Sequence, residues 1–431
     1  MQGILIFLCS SIFLIGPYLV WPSRYNILMH LNVSFIFLAY FIPAIVLNEQ
    51  EDYQADIVSL YVILLTVGAA CYVAGLFLGF KIKAVKTNFS FEILPLENYE
   101  ARVARVTKIF ITVGICGMVT GYMMMGFVPM FAADPLAAKF FRNQYQVPFY
   151  TSIIYLTSFF ILSSIIPIAF MVWYKNKAKV YFLFATITAI VLLAMSLARG
   201  SAFTGILYAI LIIMSFRSRT SFAVALIFLV FIYSFSSVFY FIIGVRDITD
   251  LTAGAKTDHM FWRVLSSGTV DVTDQLSFLQ NFESSPIWTY GRTIYGGLIP
   301  SHYEWNPAVY TLKVMNPNED VTTLISGGLR LPAPIWGYVS FQWPGVVIFC
   351  FLSGFIKGVI FKYLKTWIFK YRSILTSTVL ILICLNVFEQ FANFYTLSIY
   401  SVPPVFIFIF YLYRVRLRPR VDKEEVAVHG S

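Results

Sequence analysis

Residues 57–80 read IVSLYVILLTVGAACYVAGLFLGF, which is 24 residues without one charged side chain. A helix needs about 20 mostly apolar residues to cross the hydrocarbon of a bilayer, so this stretch predicts a membrane-spanning helix. The rest of the chain has the same character. Of its 431 residues, 59% are hydrophobic and only 12% are charged, against roughly a quarter charged in a soluble domain. This composition excludes a soluble multidomain enzyme, and it excludes a disordered chain, which needs low hydrophobicity.

Similar runs recur along the chain and predict an all-α, polytopic integral membrane protein with about eleven transmembrane helices. The eleven runs lie near residues 3–21, 27–47, 57–80, 107–125, 150–174, 180–198, 201–216, 221–245, 334–356, 373–392 and 396–413. All five cysteines fall within these runs, so they indicate neither a disulfide framework nor a metal site. Glycines spaced four residues apart predict close helix packing, because small residues let helices approach each other. These pairs are Gly75 with Gly79, Gly117 with Gly121, and Gly354 with Gly358.

The orientation follows from the lysines and arginines in alternate loops, because cytoplasmic loops of membrane proteins are enriched in them. One set of loops, which includes 81–108, 357–372 and the tail, holds 22 of these residues, and the other set holds nine. We therefore expect the first set and the C-terminus in the cytoplasm, with the chain in a bacterial inner membrane. The net charge of +10 serves this orientation and contact with anionic membrane lipids, and it indicates no nucleic-acid partner.

Four segments follow from this layout. They are membrane helices one to eight in 1–245, a large periplasmic loop in 246–333, membrane helices nine to eleven in 334–413 and a cytoplasmic tail in 414–431. The loop is far longer than an ordinary connection, and its many aromatic residues argue against disorder. We expect a folded cap of short helices, in which FWRVLSSGTVDVTDQLSFL at 261–279 forms an amphipathic helix.

Arginines on the outer side are the strongest chemical feature of the sequence. They outnumber the outside lysines by six to three, and they are Arg142, Arg199, Arg246, Arg263, Arg292 and Arg330. A guanidinium offers a rigid fork of donors that matches phosphate or carboxylate, so this set predicts an anionic ligand. The alternative for each arginine is an ion pair with a nearby acid, such as Asp247 beside Arg246.

Two charged residues lie at predicted membrane depth. Arg199, in AMSLARGSAFTG, has almost no loop around it, and Glu389, in CLNVFEQFANFY, is the only acidic residue in a predicted span. Charges at this depth are costly and typically face a cavity or a partner. We expect Arg199 to face a cavity and Glu389 to be either a base or the ion-pair partner of an arginine. For Arg246, at the end of a span, snorkelling to the interface is a competing explanation.

His259 and His302 are the two outside histidines, and either can exchange a proton near neutral pH. His302, in the proline-rich stretch LIPSHYEW, joins Glu389 as a candidate base, although a hydrogen-bonded structural role is an alternative. The sequence shows no metal-ligand set, P-loop, dinucleotide-binding turn or GxSxG elbow. It therefore predicts no metal and no cofactor.

Three stretches of the chain are distinctive. They are GFVPMFAADPLAAKFFRNQY at 126–145, LARGSAFTGILYAI at 197–210, and the long loop leading into LRLPAPIWGYVSFQWPGVVIFCFLSGFIKG at 329–358. Together with the helix layout, these stretches resemble the O-antigen and related oligosaccharide repeat-unit polymerases of bacterial envelopes, often called Wzy. The arginine-Xaa10-glycine motifs of some members are absent, since Ile153 and Tyr303 stand eleven residues after Arg142 and Arg292.

The resemblance implies a membrane-embedded glycosyltransferase of the GT-C-like type that needs neither metal nor nucleotide. Such an enzyme moves a growing glycan from one undecaprenyl-pyrophosphate carrier onto the sugar end of a second carrier-linked repeat unit. The arginines would hold the pyrophosphate, and Glu389 or His302 would deprotonate the acceptor hydroxyl. A chain-length regulator protein is an implied partner.

Other functions stay open at this stage. An O-antigen ligase, which transfers the finished glycan to the lipid A core, shares the layout. A lipid-linked oligosaccharide flippase or other transporter is expected to show paired halves and short loops, whereas this chain has one dominant loop. A structural or sensory membrane protein leaves the arginine excess unexplained.

Overall fold

Long apolar runs form helices because a helix satisfies all of its backbone hydrogen bonds within the segment. A computed structural model describes residues 2–36, 40, 53–82, 89–92, 96–229, 271–319, 328–371, 373–415 and 418–421. These residues form a helical bundle with one short strand pair. In chain order the helices and strands are α1 (Gln2–Ile15), α2 (Ile27–Ile36), α3 (Ala55–Lys81), β1 (Phe89–Glu92), α4 (Leu96–Met125), α5 (Pro135–Lys139), α6 (Phe149–Lys175), α7 (Val180–Met195), α8 (Arg199–Arg217), α9 (Arg219–Leu229), α10 (Asp271–Ser284), α11 (Arg292–Gly296), α12 (Pro307–Met315), α13 (Ala333–Tyr371), α14 (Ile374–Ile383), α15 (Glu389–Ala392), α16 (Val402–Val415) and β2 (Arg418–Val421). Short 3-10 segments are Gly16–Leu19, Pro129–Phe131, Asn143–Tyr145, Pro300–Trp305, Phe394–Thr396 and Ile399–Ser401, and Cys384–Phe388 is a π-helix.

Among the described residues, seven helices are long and apolar enough to cross a membrane. They are Gln2–Leu19, Ala55–Lys81, Tyr99–Met125, Phe149–Lys175, Gly200–Arg217, Ala333–Tyr371 and Ile374–Ala392. Three apolar helices are shorter, at Val180–Met195, Arg219–Leu229 and Ile399–Val415. The predicted helical fold is confirmed, and each of the eleven predicted runs overlaps a described helix. The number of eleven spans and their insertion in a membrane stay predictions.

Helix α13 is much longer than its predicted run at 334–356. It continues to Tyr371, so the predicted connection at 357–372 is helical up to that residue, and its position on the cytoplasmic side stays a prediction. Apolar residues keep their helical spacing through this part, and Phe361, Leu364 and Ile368 are buried on one face.

A bend divides α13 near its start. Phe341 and Gln342 have non-helical backbone angles, and Gln342 has a φ of 54°. Pro344 follows directly, and a proline inside a helix removes a backbone donor and clashes with the carbonyl four residues earlier. Residues 333–340, the first part of α13, therefore run in a different direction from the rest of the helix, and they pack against the cap helices.

Helices α3 and α13 approach each other closely. A Cβ atom added to Gly75 would lie 2.1 Å from the Phe351 carbonyl oxygen, and one added to Gly354 would lie 2.1 Å from the Tyr72 carbonyl oxygen. Only a hydrogen atom fits at either position. The packing role predicted for these glycines is confirmed.

The buried apolar side chains form two main clusters. One joins α1, α3, the cap helices α10 and α12, and the part of α13 on both sides of its bend, around Trp336 and Phe349. The other joins α2, α4, α6, α7, α8, α14, α16 and the later part of α13 around Phe361 and Trp367. Because α13 belongs to both clusters, it fixes the cap helices to the rest of the bundle.

The described part of the long loop folds into short helices that pack on the bundle. The predicted helix at 261–279 begins at Asp271 among the described residues, and its first ten positions lie outside them. The hydroxyl of Tyr61, on α3, donates to Oε1 of the buried Gln275 at 2.6 Å. This contact fixes α10 to α3, which is one of the seven helices long and apolar enough to cross a membrane.

The connections gather at two ends of the bundle. Residues 126–148, the described parts of 271–332 and residues 393–401 lie at one end, which we name the cavity end. The turn at 176–179 lies at the other end, which we name the strand end. There β1 pairs antiparallel with β2, so that Phe89 lies opposite Val421. Residues 89–92 of the predicted loop 81–108 and residues 418–421 of the predicted tail therefore lie side by side.

Candidate functional site

A cavity of about 1290 Å³ opens at the cavity end of the bundle. It exceeds the usual 300–1,000 Å³ of a site for one small ligand. Four parts of the chain form its walls: the 139–142 loop, the first turns of α6, the cap residues from 296 to 331, and the 393–403 connection. These parts are distant in sequence, and the packing of the cap onto α13 brings them together.

The charge of this cavity is entirely positive. Lys139, Arg142 and Arg330 line it, and no aspartate or glutamate is among its described lining residues. Polar neutral groups complete the wall, including the side chains of Asn306, Asn393, Thr396 and Ser398. Several cations in a partly enclosed space attract an anion, because the low dielectric strengthens the interaction.

A strained backbone presents Arg142. Phe141 and Asn143, on either side of it, have φ angles of 54° and 53°, in the left-handed region that a residue as bulky as Phe rarely adopts. Two hydrogen bonds hold the turn: the Arg142 N–H donates to the Ala137 carbonyl at 2.9 Å, and the Tyr145 N–H donates to the Arg142 carbonyl at 3.0 Å. Such strain persists where surrounding contacts impose it, and it is concentrated at functional sites.

The same strain recurs beside other predicted arginines. Five non-glycine residues in the described part of the chain have a positive φ, and four of them lie within two positions of Arg142, Arg199 or Arg292. The five residues are Phe141, Asn143, Leu197, Tyr290 and Gln342.

Arg330 is positioned by the cap. The Gln275 amide, which accepts from Tyr61, also donates from Nε2 to the Arg330 carbonyl oxygen at 3.1 Å. The Leu329 N–H donates to Thr311 Oγ1 on α12 at 3.0 Å. Helices α3, α10 and α12 thus fix the backbone from which the exposed Arg330 side chain reaches the cavity.

Two N–H donors on cavity-lining residues have no acceptor. Arg142 Nε and Trp336 Nε1 are buried, and neither has a hydrogen-bond partner among the described residues. Trp336 is 1% exposed. A buried donor without an acceptor costs about 1–3 kcal/mol, so these two residues of the cavity wall carry unmet hydrogen-bonding capacity.

An apolar stripe leads from the cations along α6. Phe149, Ile153, Leu156 and Phe160 all line the cavity, and their spacing of three or four residues places them on one face of the helix. Phe149 is 81% exposed and Ile153 is 47% exposed. The cavity is therefore amphipathic, with a cationic part and an apolar wall.

Tyr395 lines the cavity from the 393–403 connection. Its hydroxyl donates to Asn393 Oδ1 at 3.3 Å and shares a hydrogen bond with Ser353. Burial raises the pKa of Tyr395, so its phenol stays protonated at neutral pH. Tyr395 also interacts electrostatically with Glu389, which does not line the cavity itself.

Among the described residues, Lys357 on α13 interacts electrostatically with Glu389. Whether an arginine pairs with Glu389 stays a prediction, because the side chains of Arg199, Arg246 and Arg263 lie outside the described part of the structure. The sequence had assigned Lys357 to a loop, and the longer course of α13 places it in the bundle beside Glu389 instead.

The remaining predicted residues are spread over the cavity end. The Arg292 guanidinium lies 4.9 Å from the centre of the Trp305 ring, outside the cavity lining. His302 contacts the Tyr295 ring, with centroids 6.0 Å apart, and also lies outside the lining. Arg199 begins α8, but its side chain is not among the described atoms. Arg246, His259 and Arg263 lie outside the described residues.

Sequence reasoning missed three residues of this region: Lys357, Tyr395 and Trp336. A signal existed for Lys357, because the apolar letters VIF continue directly after it and Gly354 and Gly358 flank it. Tyr395 and Trp336 carried no signal beyond being aromatic. In the described part of the chain, no three His, Cys, Asp or Glu residues lie together as metal ligands would.

The chain matches no protein-family model, and no curated protein or solved structure similar to it was found.

Proposed function

We propose that this protein is an O-antigen polymerase, a glycosyltransferase that joins undecaprenyl-pyrophosphate-linked oligosaccharide repeat units into a polysaccharide. The reaction takes place on the periplasmic face of the bacterial inner membrane, with the C-terminus in the cytoplasm. The observation that supports this function best is the amphipathic cavity, whose lining combines the basic side chains of Lys139, Arg142 and Arg330 with an apolar wall along α6.

The cations suit the pyrophosphate of the carrier. A guanidinium binds two phosphate oxygens at once, and Arg142 still has its Nε free of any acceptor among the described residues. During transfer, negative charge develops on the leaving pyrophosphate, and fixed cations stabilise that charge without reorganising. Arg199, Arg246, Arg263 and Arg292 belong to the same proposal as further contacts to pyrophosphate or glycan.

The apolar stripe suits the carrier's hydrocarbon chain. Phe149, Ile153, Leu156 and Phe160 extend along α6 away from the cations, and each buried methylene contributes about 0.8 kcal/mol. The exposed lining residues Tyr303 and Tyr400 offer flat aromatic faces beside polar groups, which suits sugar rings.

The chemistry requires one proton transfer. The acceptor hydroxyl oxygen bonds to the anomeric carbon of the donor sugar, and the bond from that carbon to the carrier phosphate breaks with its electron pair. The acceptor proton passes to a base, for which Glu389 and His302 are the candidates.

Deletion of the gene, followed by gel analysis of surface polysaccharide, tests this function. A polymerase mutant is expected to carry a single repeat unit on its lipid A core. Free carrier-linked polymer would instead indicate a ligase, and single units retained in the cytoplasm would indicate a flippase. Complementation with the wild-type chain restores long polysaccharide in the expected case, and a chain-length regulator supplied by the host sets its length.

A further inference from the structure

Helix α13 is too long to cross a membrane as one straight helix. Its 39 residues would extend about 58 Å at 1.5 Å per residue, nearly twice the hydrocarbon thickness of about 30 Å. A Cβ atom added to Gly337 or to Gly345 would collide with the carbonyl oxygen of the other glycine, although residues eight positions apart in a straight helix are separated by about 12 Å. The bend at 341–342 therefore folds the chain back on itself, and residues 333–340, which we name the return helix, lie antiparallel to the later part of α13.

The inner end of the return helix reaches the middle of α3. A Cβ atom added to Gly68 would lie 2.9 Å from the Pro334 Cβ and 3.0 Å from the Cys350 Sγ. Gly68 is the twelfth of the 24 residues in the uncharged run 57–80, so it lies about 16 Å along the helix from the start of that run. Pro334 therefore lies near the middle of a stretch that is long enough to cross the hydrocarbon.

The outer end of the return helix lies at the cavity end, beside the cap. The Thr289 N–H donates to the Val339 carbonyl at 2.9 Å, and the hydroxyls of Thr289 and Ser340 share a hydrogen bond of 2.9 Å. Three exposed aromatic residues surround this turn, namely Tyr290, Phe341 and Trp343. Aromatic side chains concentrate where a membrane meets water, so the turn has the composition of a membrane interface.

The prolines of the inner turn suit an apolar environment. Residues 331–334 read LPAP, and proline has no N–H to donate. The first turn of a helix normally leaves N–H groups without an intrahelical acceptor, and the hydrocarbon contains no water to accept from them. The N–H groups of Ile335 and Trp336 both donate to the Pro332 carbonyl, at 3.0 and 3.2 Å. The sequence thus removes backbone donors at the depth where an unpaired donor is most costly.

The inner turn is connected directly to Arg330, which precedes Pro334 by four positions. The Arg330 carbonyl accepts from Gln275, and Gln275 accepts from Tyr61, the fifth residue of the run 57–80. Arg330 is therefore held near the outer boundary of that run, where the polar headgroups of a bilayer begin. A diphosphate attached to a lipid can reach this height while its hydrocarbon chain stays in the membrane.

We propose that residues 329–342 form a re-entrant hairpin, which enters the membrane from the cavity end and returns to it, and that Gly68 is a positioning residue for Arg330. Gly68 acts through Pro334, because only a hydrogen atom at position 68 lets the inner turn reach its depth. The hairpin holds Arg330 at the height of lipid phosphate groups. The membrane-crossing part of α13 accordingly begins after the bend, at Trp343. This inference rests on the proposed lipid-linked diphosphate as the ligand of the cavity.

Nitroxide labels measure the depth of the hairpin. Ile348 is exposed, and the contact of Gly337 with Gly345 places it level with Pro334. In a cysteine-free background, the protein is reconstituted in vesicles of phosphatidylethanolamine and phosphatidylglycerol. A label at Ile348→Cys is expected to lie about 7 Å deeper than one at Trp343→Cys, the rise of five helical residues, and to be shielded from a water-soluble nickel chelate. Equal exposure of both labels to the chelate would place the hairpin outside the membrane and overturn it.

A double-mutant cycle tests the positioning role with undecaprenyl diphosphate as the probe. Gly68→Ala is expected to weaken binding by about tenfold and Arg330→Ala by about 10- to 100-fold, the scale of one lost charged hydrogen bond. The Gly68→Ala/Arg330→Ala double variant binds no more weakly than Arg330→Ala, because Gly68 acts through the arginine. Gly205→Ala is the matched control. A Cβ there would lie 3.1 Å from Ile166 Cγ2 and 3.3 Å from Pro167 Cδ, which is similar crowding outside the cavity lining, and the affinity stays at the wild-type value.

For the positioning role, the contradicting results are wild-type affinity in Gly68→Ala, additive losses in the double variant, or equal losses in Gly68→Ala and Gly205→Ala. The depth measurement decides the hairpin independently of these variants. A protein that gives the expected depth and affinities but never elongates carrier-linked oligosaccharide overturns the proposed function and leaves the hairpin in place, so the two failures are distinguishable.

Discussion

Arg142 and Arg330 line one cavity, although they come from distant parts of the chain. A strained turn after α5 presents Arg142, and the hydrogen bonds of Gln275 and Thr311 fix the backbone around Arg330. Two separate sets of backbone contacts thus place Arg142 and Arg330 on the lining of the same cavity. This convergence is the basis for assigning an anionic ligand to the cavity end.

Arg142→Ala is expected to weaken the binding of undecaprenyl diphosphate to the purified protein by about 10- to 100-fold, the scale of one lost charged hydrogen bond. Arg142→Lys keeps the charge but not the bidentate fork, so it recovers only part of the affinity. Arg217→Ala is the matched control, because Arg217 is an exposed arginine at the strand end. Equal affinity in Arg142→Ala and the control would remove Arg142 from the site.

Ile153→Ser tests the apolar stripe. Ile153 is 47% exposed and lines the cavity, so the change is expected to weaken binding of undecaprenyl diphosphate and to spare binding of inorganic diphosphate. Ile187, which is 50% exposed on α7 and outside the cavity lining, gives the control variant Ile187→Ser. If both variants bind the lipid equally well, the hydrocarbon chain does not lie along α6.

Gly354→Ala is expected to destabilise the bundle by about 1–3 kcal/mol or more, the cost of overpacking. The added Cβ would lie 2.1 Å from the Tyr72 carbonyl oxygen, and backbone cannot yield as a flexible side chain does. Gly200→Ala is the control, since a Cβ there meets nothing within 4 Å. Thermal unfolding in detergent measures both, and an unchanged melting temperature for Gly354→Ala would contradict the close approach of α3 and α13.

Arg199→Ala and Arg246→Ala are expected to abolish polymerisation while leaving insertion and folding intact. The physical reason is the same for both, namely that a cation kept at the membrane edge needs an anionic partner. Polysaccharide gels measure the outcome, and membrane-fraction blots confirm the amount of protein. Wild-type chain lengths in either variant would eliminate that arginine from the proposal.

The orientation has its own test. Asn318 is exposed at the cavity end and Asn176 is exposed at the strand end. In a cysteine-free background, Asn318→Cys is expected to react with a membrane-impermeant maleimide in intact cells, whereas Asn176→Cys reacts only after permeabilisation. The reverse pattern would place the cavity in the cytoplasm and refute a periplasmic polymerase.

The sequence is informative about helices and much less so about the site. Uncharged runs such as 57–80 predict membrane helices from their length and hydrophobicity alone. The four-residue spacing within the pairs Gly75–Gly79 and Gly354–Gly358 predicts close helix packing. The end of α13 was misjudged because Lys357 interrupts an apolar run, and a charge after a run long enough to span a membrane is typical of a loop.

The cavity could not be predicted for a related reason. Helical periodicity describes one element at a time, whereas the cavity depends on how the cap folds back onto α6 and α13. Arginine counts indicated an anionic ligand, but they could not tell Arg142 and Arg330, which line the cavity, from Arg292, which packs on Trp305. Tyr395 and Trp336 gained their significance only from their positions in the structure.

The most direct test of the proposed function is elongation by the purified protein in lipid vesicles. Undecaprenyl-pyrophosphate-linked repeat units are supplied as the only substrate, with EDTA present and no nucleotide sugar. We expect products that increase by whole repeat units, together with release of undecaprenyl diphosphate. Single units that persist unchanged beside correctly folded protein would contradict the assignment as a polymerase.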